Sequence, residues 1–264
     1  MLKTCICLEM IFRDRPYEER IALAASCGFE LVEIWTPEGK DLLSLAQAAA
    51  DNAIAVNNLV VNTPDGSLGG APVKAADLST YLERVDQVMD IALAAGIRMG
   101  ITCSGNLQPG LDRDRMRGNL QTALGRAAEM AAARGFTLVL EALNTLVNHA
   151  GYYLDSSTEA ADIIREIGNP HLKLLYDVYH MQIMEGNIID NICGELDVIG
   201  HFHAAGVPGR NEIYRGELNY PEIVRTINES GYDGAFGLEY APAEEDHIAS
   251  LAASLTCLRE GLKC

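Results

Sequence analysis

Four polar residues stand at the C-terminal ends of four apolar runs, and their side chains are well suited to chemistry. The runs FTLVLE, LKLLYD, VIGHFH and FGLE end at Glu141, Asp177, His203 and Glu239. Such runs predict buried β-strands, in which an unpaired ionised carboxylate is costly. Three carboxylates and an imidazole at equivalent strand ends therefore predict a shared cation. Oxygen and nitrogen ligands favour one divalent metal ion: Mn²⁺, Mg²⁺ or Co²⁺, with Zn²⁺ also suitable.

The segments that must position these residues alternate between β and α patterns. Amphipathic helical stretches separate eight strand-like runs, and a last helical pattern, HIASLAASLTCLREGL, follows them. The predicted strands are TCICLEMI, LVEIW, AIAVNNLVV, RMGITCS, TLVLEAL, LKLLYDV, VIGHFHA and FGLEYA. Glycine follows several helical stretches, as is typical of a left-handed residue just beyond a helix end. These glycines are Gly28, Gly96, Gly135, Gly168 and Gly231.

This alternation, over 264 residues, predicts an α/β fold in which a single domain, residues 1–264, forms a (β/α)₈ TIM barrel. An open doubly wound sheet is the structural alternative. That fold usually carries a glycine-rich loop after its first strand, whereas the segment here reads IFRDRPYEER. The closed barrel is therefore the preferred prediction.

A closed barrel would bring the four polar residues together. They end the fifth to eighth predicted strands, and consecutive strands of a barrel are neighbours whose C-terminal ends surround one mouth. A lone glutamate at a strand end is more often a helix cap or a surface ion-pair partner. Four polar residues at the ends of consecutive strands favour a functional site instead. His201 lies two residues before His203 and is expected to be a hydrogen-bonded core histidine one layer deeper.

The net charge and the cysteine content indicate which partners and which cellular location to expect. A net charge of −17 opposes binding to a phosphate backbone, so no nucleic-acid partner is expected. Seven cysteines without paired spacing favour a reducing, cytoplasmic location. No apolar run reaches the length of a membrane span, and MLKTCICLEMIF does not resemble a signal peptide. We therefore expect neither a membrane partner nor export.

Several segments resemble the hydroxypyruvate isomerase family, which belongs to the xylose isomerase-like barrels together with the ketose 3-epimerases. They are YDVYHMQIMEG, GHFHAAGVPGR, GELNYPEI, GYDGAFGLEY and, less specifically, EALNTLVNHAGYYLDS. The resemblance is strong over residues 136–240 and weaker before them. It implies a small-molecule sugar or 2-oxo acid substrate and a homo-oligomer, either a dimer or a tetramer.

The resemblance also implies roles for individual residues. Glu141, Asp177, His203 and Glu239 match the ligands of one divalent metal, and the two glutamates match an acid–base pair. His180 matches a histidine that contacts a substrate oxygen. The implied reaction is an aldose–ketose isomerisation, hydroxypyruvate to tartronate semialdehyde, by proton transfer through an enediolate.

Three further residues are candidate substrate contacts. Arg210 matches the arginine of the loop after the seventh strand; it would grip a substrate carboxylate, or else pair with Glu212 or Glu217 on its own loop. Asn57 is expected near the mouth at the end of the third strand, where it would touch substrate hydroxyls or satisfy a turn. Glu185 would hold His180 or a loop, or would be a solvated acid at a helix start.

Departures from the family pattern leave other functions open. Some hydroxypyruvate isomerases have Gln where His203 stands, and Ala142 replaces a frequent proline. Asn144 and Val147 occupy the region where ketose 3-epimerases carry an extra acid. The alternatives on the same metal site are a ketose 3-epimerase, a 2-oxo-tetronate isomerase and a sugar-acid lyase or dehydratase. A DNA-repair nuclease and a non-catalytic binding barrel are more distant rivals.

Overall fold

The computed structural model describes residues 2–262 and contains a closed barrel of eight parallel strands. Each strand pairs with its neighbours in the sequence, and the last strand pairs with the first. The predicted (β/α)₈ barrel is therefore confirmed. The strands are β1 (Lys3–Cys7), β2 (Leu31–Ile34), β3 (Ala55–Val60), β4 (Met99–Thr102), β5 (Thr137–Glu141), β6 (Leu172–Asp177), β7 (Ile199–Ala204) and β8 (Ala235–Leu238).

Helices follow the strands and surround the barrel. They are α1 (Tyr17–Cys27), α2 (Leu42–Asp51), α3 (Leu78–Ala94), α4 (Arg113–Arg134), α5 (Ser157–Ile167), α6 (Val178–Met184), α7 (Ile188–Glu195), α8 (Tyr220–Glu229) and α9 (His247–Gly261). A 3₁₀ turn at Ala75–Asp77 precedes α3. Gly28 and Gly135 end α1 and α4 with φ values of +99° and +63°. These confirm the predicted left-handed positions, which suit glycine because it has no Cβ.

The short helix α6 is a finding that the sequence patterns did not predict. The apolar run LKLLYDV was expected to continue as a strand through Val178, but β6 ends at Asp177. The Asp177 carboxylate accepts a hydrogen bond from the backbone N–H of His180 at 3.0 Å and so caps α6. Because an N-cap acid satisfies a backbone donor that would otherwise be unpaired, it favours helix over strand at this point.

The core has two parts, and the smaller one supports the mouth of the barrel. Most buried apolar residues lie in one large cluster. A separate cluster contains Ile101, Val139 and Leu175, with Val60 and Met99 packed against it. Since strand side chains alternate between faces, Glu141 and Asp177 share the faces of Val139 and Leu175. Aliphatic packing inside the barrel thus lies next to the polar strand ends.

None of the helices within residues 2–262 combines the length and the apolar character needed to cross a lipid bilayer.

Candidate active site and metal centre

The structure brings the four strand-end residues into one buried cluster. Glu141 and Asp177 are the last residues of β5 and β6, and Asp177 lies directly across from His203 of β7. Glu239 follows β8 directly. One ligand atom from each of the four side chains lies within 4.8 Å of all the others. Strands that are distant in the chain therefore supply a compact donor set, because the barrel places their C-terminal ends side by side.

His203 lies among the three carboxylates. Its Nδ1 atom is 3.6 Å from Glu141 Oε1, 3.7 Å from Glu239 Oε2 and 4.0 Å from Asp177 Oδ2. This nitrogen is buried and has no hydrogen-bond partner within residues 2–262. A buried polar atom normally has a partner. An unpartnered nitrogen that faces three carboxylate oxygens fits one divalent cation with mixed nitrogen and oxygen ligands.

The cluster has an excess of negative charge, and the pKa values reflect it. Burial raises the pKa of Glu141 to about 7, and the nearby Glu239 and Asp177 add to this, while His203 opposes it. Burial alone would lower the pKa of His203, but neighbouring carboxylates, among them Glu33, Glu141 and Glu239, raise it well above its usual range. Several carboxylates therefore lie around a single imidazole. Added positive charge would stabilise such a site.

Nitrogen donors of Trp35 and Arg210 contact the two oxygens of Glu239. The indole N–H of Trp35, just after β2, donates to Glu239 Oε1 at 2.7 Å. The guanidinium of Arg210, in the loop after β7, pairs with Glu239 Oε2. Both oxygens of this carboxylate are therefore held by donors, which fixes its orientation.

Arg210 thus has a different partner from those that its own loop suggested. Glu212 accepts hydrogen bonds from Ala243 N at 2.9 Å and from Ser250 Oγ at 3.0 Å. Glu217 accepts from Gln182 at 3.1 Å. The alternative in which Arg210 pairs with Glu212 or Glu217 is therefore wrong, because both carboxylates have other partners and Glu239 lies across the mouth. The guanidinium also lies over the ring of Tyr179, 5.4 Å from its centroid.

His180 on α6 is oriented by the chain that follows β5. Its Nδ1 atom accepts a hydrogen bond from the backbone N–H of Asn144 at 3.1 Å. Burial and the charge of Arg210 lower the pKa of His180 well below its usual value, so the ring is neutral. A neutral ring that accepts at Nδ1 carries its proton at Nε2. His180 lines the cavity, and Nε2, 3.7 Å from Asp177 Oδ2, has no hydrogen-bond partner within residues 2–262. It is a free donor for a bound molecule.

The cluster opens into a cavity of about 290 Å³ at the mouth of the barrel. Apolar side chains of Val60, Pro64, Ile101 and Leu143 form much of its wall. The remaining lining residues are Trp35, Thr36, Thr63, Cys103, Glu141, His149, His180, His203, Arg210 and Glu239. The predicted residues Glu141, His180, His203, Arg210 and Glu239 thus share one cavity.

Asn57 and Glu185 are predicted site residues that do not line this cavity. Asn57 lies in the middle of β3, which continues to Val60, so the expectation that it ends the strand is wrong; the apolar residues after it extend the strand. The Glu185 carboxylate accepts from Ser157 N at 2.9 Å and Ser157 Oγ at 2.7 Å. It therefore holds the start of α5, rather than His180 or a loop, and is not a solvated acid at a helix start.

Three residues near the site were missed by the sequence analysis. Glu33 interrupts the apolar run LVEIW and is buried, so the rule that singled out the strand-end acids could have found it. Trp35 is the one tryptophan of the chain and follows the same strand. His149 packs against His180, with ring centroids 5.4 Å apart, and nothing in its local sequence indicates this contact.

Comparison with known proteins places this geometry in a family. The profile described as "Xylose isomerase-like TIM barrel" matches residues 21–260. The chain belongs to this family. The xylose isomerase-like barrel is 33% identical over 235 residues to the "Putative hydroxypyruvate isomerase" of Homo sapiens, covering 84% of this chain and 83% of that one. It is 31% identical over 242 residues to the "2-oxo-tetronate isomerase" of Cupriavidus necator, covering 89% and 91%.

Solved structures share the fold of this xylose isomerase-like barrel. The crystal structure described as "AP endonuclease, family 2" from Brucella melitensis superimposes with a TM-score of 0.89 at 29% identity, covering 97% of this chain and 99% of that one. The isomerase relatives match over most of their own length. The chain is accordingly an isomerase.

Proposed function

We propose that this barrel is a divalent-metal-dependent isomerase of a small hydroxy-oxo acid. The smallest such reaction converts hydroxypyruvate to tartronate semialdehyde. The observation that carries the proposal is the buried donor set of Glu141, Asp177, His203 and Glu239, in which His203 Nδ1 faces three carboxylates without another partner among the described residues. This set suits Mn²⁺, Mg²⁺ or Co²⁺, with Zn²⁺ also possible.

The reaction removes a proton from the carbon that bears the hydroxyl, returns one to the neighbouring carbon, and moves the hydroxyl proton to the former carbonyl oxygen. The bound cation would supply positive charge next to the two oxygens of the enediolate that forms in between. Glu141 ends β5 and Glu239 follows β8, and these two strands are separated in the barrel by β6 and β7. One of these carboxylates removes the proton and the other returns it.

His180 and Arg210 hold the substrate in this proposal. The Nε2–H group of His180 donates to the carbonyl oxygen, which its neutral, oriented ring allows. Arg210 is the one lysine or arginine among the residues that line the cavity, and its guanidinium matches a carboxylate bidentately. An acid substrate would therefore place its carboxylate at Arg210.

The cavity wall favours an acid of three or four carbons over a free ketohexose. Each hydroxyl of a ketohexose needs a hydrogen-bond partner when it leaves water, and much of the wall consists of aliphatic side chains. Thr36 also lines the cavity and would meet one additional substrate hydroxyl. A 2-oxo-tetronate, the substrate class of the Cupriavidus relative's name, is therefore the second candidate on the same site.

A substrate panel on metal-stripped and metal-reloaded protein tests the proposal. The protein is dialysed against EDTA, reloaded with Mn²⁺, Mg²⁺ or Co²⁺, and assayed with hydroxypyruvate, a 2-oxo-tetronate, fructose and tagatose. We expect turnover of an acid by the reloaded protein alone. Full activity of the metal-free protein, or activity confined to the ketohexoses, would contradict the proposal.

Abasic duplex DNA belongs in the same panel, because one structural relative is named as an AP endonuclease. A net charge of −17 opposes DNA binding. We expect no cleavage under conditions in which the acid substrates turn over.

A further inference from the structure

Glu33 is a buried carboxylate to which the proposed chemistry gives no role. It lies on β2 with 1% of its surface exposed. Its Oε2 atom is 3.0 Å from His201 Nε2 and accepts a hydrogen bond from Asn58 Nδ2 at 2.8 Å. Burial alone would raise the pKa of Glu33, but the neighbouring His203 and the hydrogen bond from His201 hold it well below its usual range. Glu33 is therefore a buried, hydrogen-bonded carboxylate inside the barrel.

The other oxygen of Glu33 faces His203. Oε1 is 3.1 Å from His203 Nε2, on the side of the ring opposite to the three carboxylates of the cluster. Both atoms are buried, and within residues 2–262 neither has a partner that meets hydrogen-bond geometry, so their 3.1 Å approach is the nearest polar contact shown for each. The two ring nitrogens thus have separate tasks: Nδ1 faces the donor cluster and Nε2 faces Glu33.

Gly237 on β8 leaves the space that this contact requires. It is the strand partner of His203. A Cβ atom at position 237 would lie 2.8 Å from Glu33 Oε1 and 2.9 Å from His203 Cδ2. These distances are shorter than carbon normally tolerates, so any side chain there would displace Glu33 or His203. Gly237, on a third strand, therefore leaves room for the contact between Glu33 and His203.

We propose that Glu33 is a positioning residue for His203. It accepts the Nε2–H hydrogen bond and so fixes the neutral tautomer whose Nδ1 lone pair is directed at the metal. The inference rests on the proposed metal site. It explains why a carboxylate is kept in the barrel interior, where a polar group without a partner would be unfavourable.

A second cation between Glu33, His201 and His203 is the competing explanation, because ligand atoms of these residues also lie within 4.8 Å of one another. Asn58 argues against it. Its amide Nδ2 is 2.8 Å from Glu33 Oε2 and 3.2 Å from His201 Nε2. An N–H donor in this position repels a cation and suits a hydrogen-bonded carboxylate.

Metal titration of metal-stripped protein tests the inference. Glu33→Gln has nearly the same shape and keeps an acceptor oxygen, while His201→Gln disturbs the same buried network without removing the Glu33–His203 contact. By calorimetry with Mn²⁺, we expect one ion per wild-type chain and a loss of about 10–100-fold in affinity for Glu33→Gln. His201→Gln should retain most of the affinity. Circular dichroism and thermal melts verify that both variants fold.

A spectroscopic readout separates positioning from general loss of packing. In wild-type protein loaded with diamagnetic Zn²⁺, the ¹⁵N–¹H spectrum should show the Nε2–H of His203 strongly downfield, as expected for a hydrogen bond to a carboxylate. In Glu33→Gln that signal should move upfield.

The outcomes distinguish this inference from the proposed function. Wild-type affinity in Glu33→Gln, an unchanged Nε2–H signal, or two ions per wild-type chain would overturn the positioning role while leaving the metal-dependent isomerase in place. A wild-type protein that binds no divalent ion would overturn both.

Discussion

Trp35 donates its indole N–H to Glu239 Oε1 at 2.7 Å, across 204 positions of the chain. Although 43% of Trp35 is exposed, neighbouring contacts hold its backbone. The N–H of Trp35 donates to Glu9 Oε1 at 3.2 Å, and the same oxygen is 3.0 Å from Lys40 Nζ. Glu9, after β1, thus ties together the chain after β1 and the chain after β2 at the backbone of Trp35. The ring therefore orients one of the two proposed proton carriers from a fixed position.

Replacing Trp35 with Phe removes the donor while keeping an aromatic wall. A hydrogen bond to a charged group contributes about 1.5–3 kcal/mol, so turnover should fall by roughly 10–100-fold if Glu239 must be oriented. Steady-state kinetics on the reloaded enzyme would measure this. Unchanged kcat would show that the indole does not orient Glu239, and a thermal melt provides the control for folding.

The same residue reports on the metal site by fluorescence. Trp35 is the one tryptophan of the chain, and its indole contacts a proposed ligand. Adding Mn²⁺ or Mg²⁺ to metal-stripped protein should therefore change its emission with a saturating dependence on metal concentration. In Asp177→Asn, which removes a ligand that is not hydrogen-bonded to the indole, saturation should need a higher metal concentration. Emission that does not change when metal is added would show that the ion binds elsewhere.

Replacing Glu141 with Gln should abolish turnover without unfolding the chain. The amide keeps the shape of the side chain but cannot carry the proton, a role that contributes about 10²–10⁴-fold in rate. Glu83→Gln on the exposed face of α3 is a matched control that should remain active. Near-normal turnover of Glu141→Gln would remove this residue from the acid–base pair.

Replacing Arg210 with Lys should weaken binding of an acid substrate. Lysine keeps the positive charge but cannot grip a carboxylate bidentately. We expect KM to rise by roughly tenfold, in keeping with loss of one charged hydrogen bond, and kcat to change less. Arg215→Lys is the control on the same loop, because Arg215 pairs with the exposed Glu244. Equal effects of the two substitutions would contradict a substrate contact at Arg210.

Glu195 at the end of α7 should make stability depend on pH. Burial raises its pKa to about 7, although Ser157 and Thr158 donate to its Oε1 atom. The folded state thus binds a proton more tightly than the unfolded state does. The stability that this proton contributes is present below the carboxyl's ordinary pKa and is lost as pH rises through about 7.

Glu195→Gln should therefore lose less stability than the wild type between pH 5.5 and 8. Because solvent screens part of the effect, the difference should be of order 1 kcal/mol. Thermal melts in EDTA at the two pH values measure it, with Glu83→Gln as a control. Parallel shifts for wild type and Glu195→Gln would show that Glu195 does not carry the pH dependence.

The sequence by itself determined the barrel and four members of the site. Alternating β and α patterns with closing glycines such as Gly135 are local, and they predict the architecture that is observed. Glu141, Asp177, His203 and Glu239 could be recognised because each places a polar group at the end of an apolar run. In a parallel barrel that position alone brings the residues to a common mouth.

Only the tertiary structure decided which side chains meet. Arg210 contacts Glu239 rather than an acid of its own loop, Trp35 reaches the same carboxylate, and Glu33 spans from β2 to His203 on β7. Asn57 lies in mid-strand, beside a register shift between β2 and β3. These contacts depend on barrel closure, strand register and loop paths. They join residues far apart in the chain, so no local pattern of residue types encodes them.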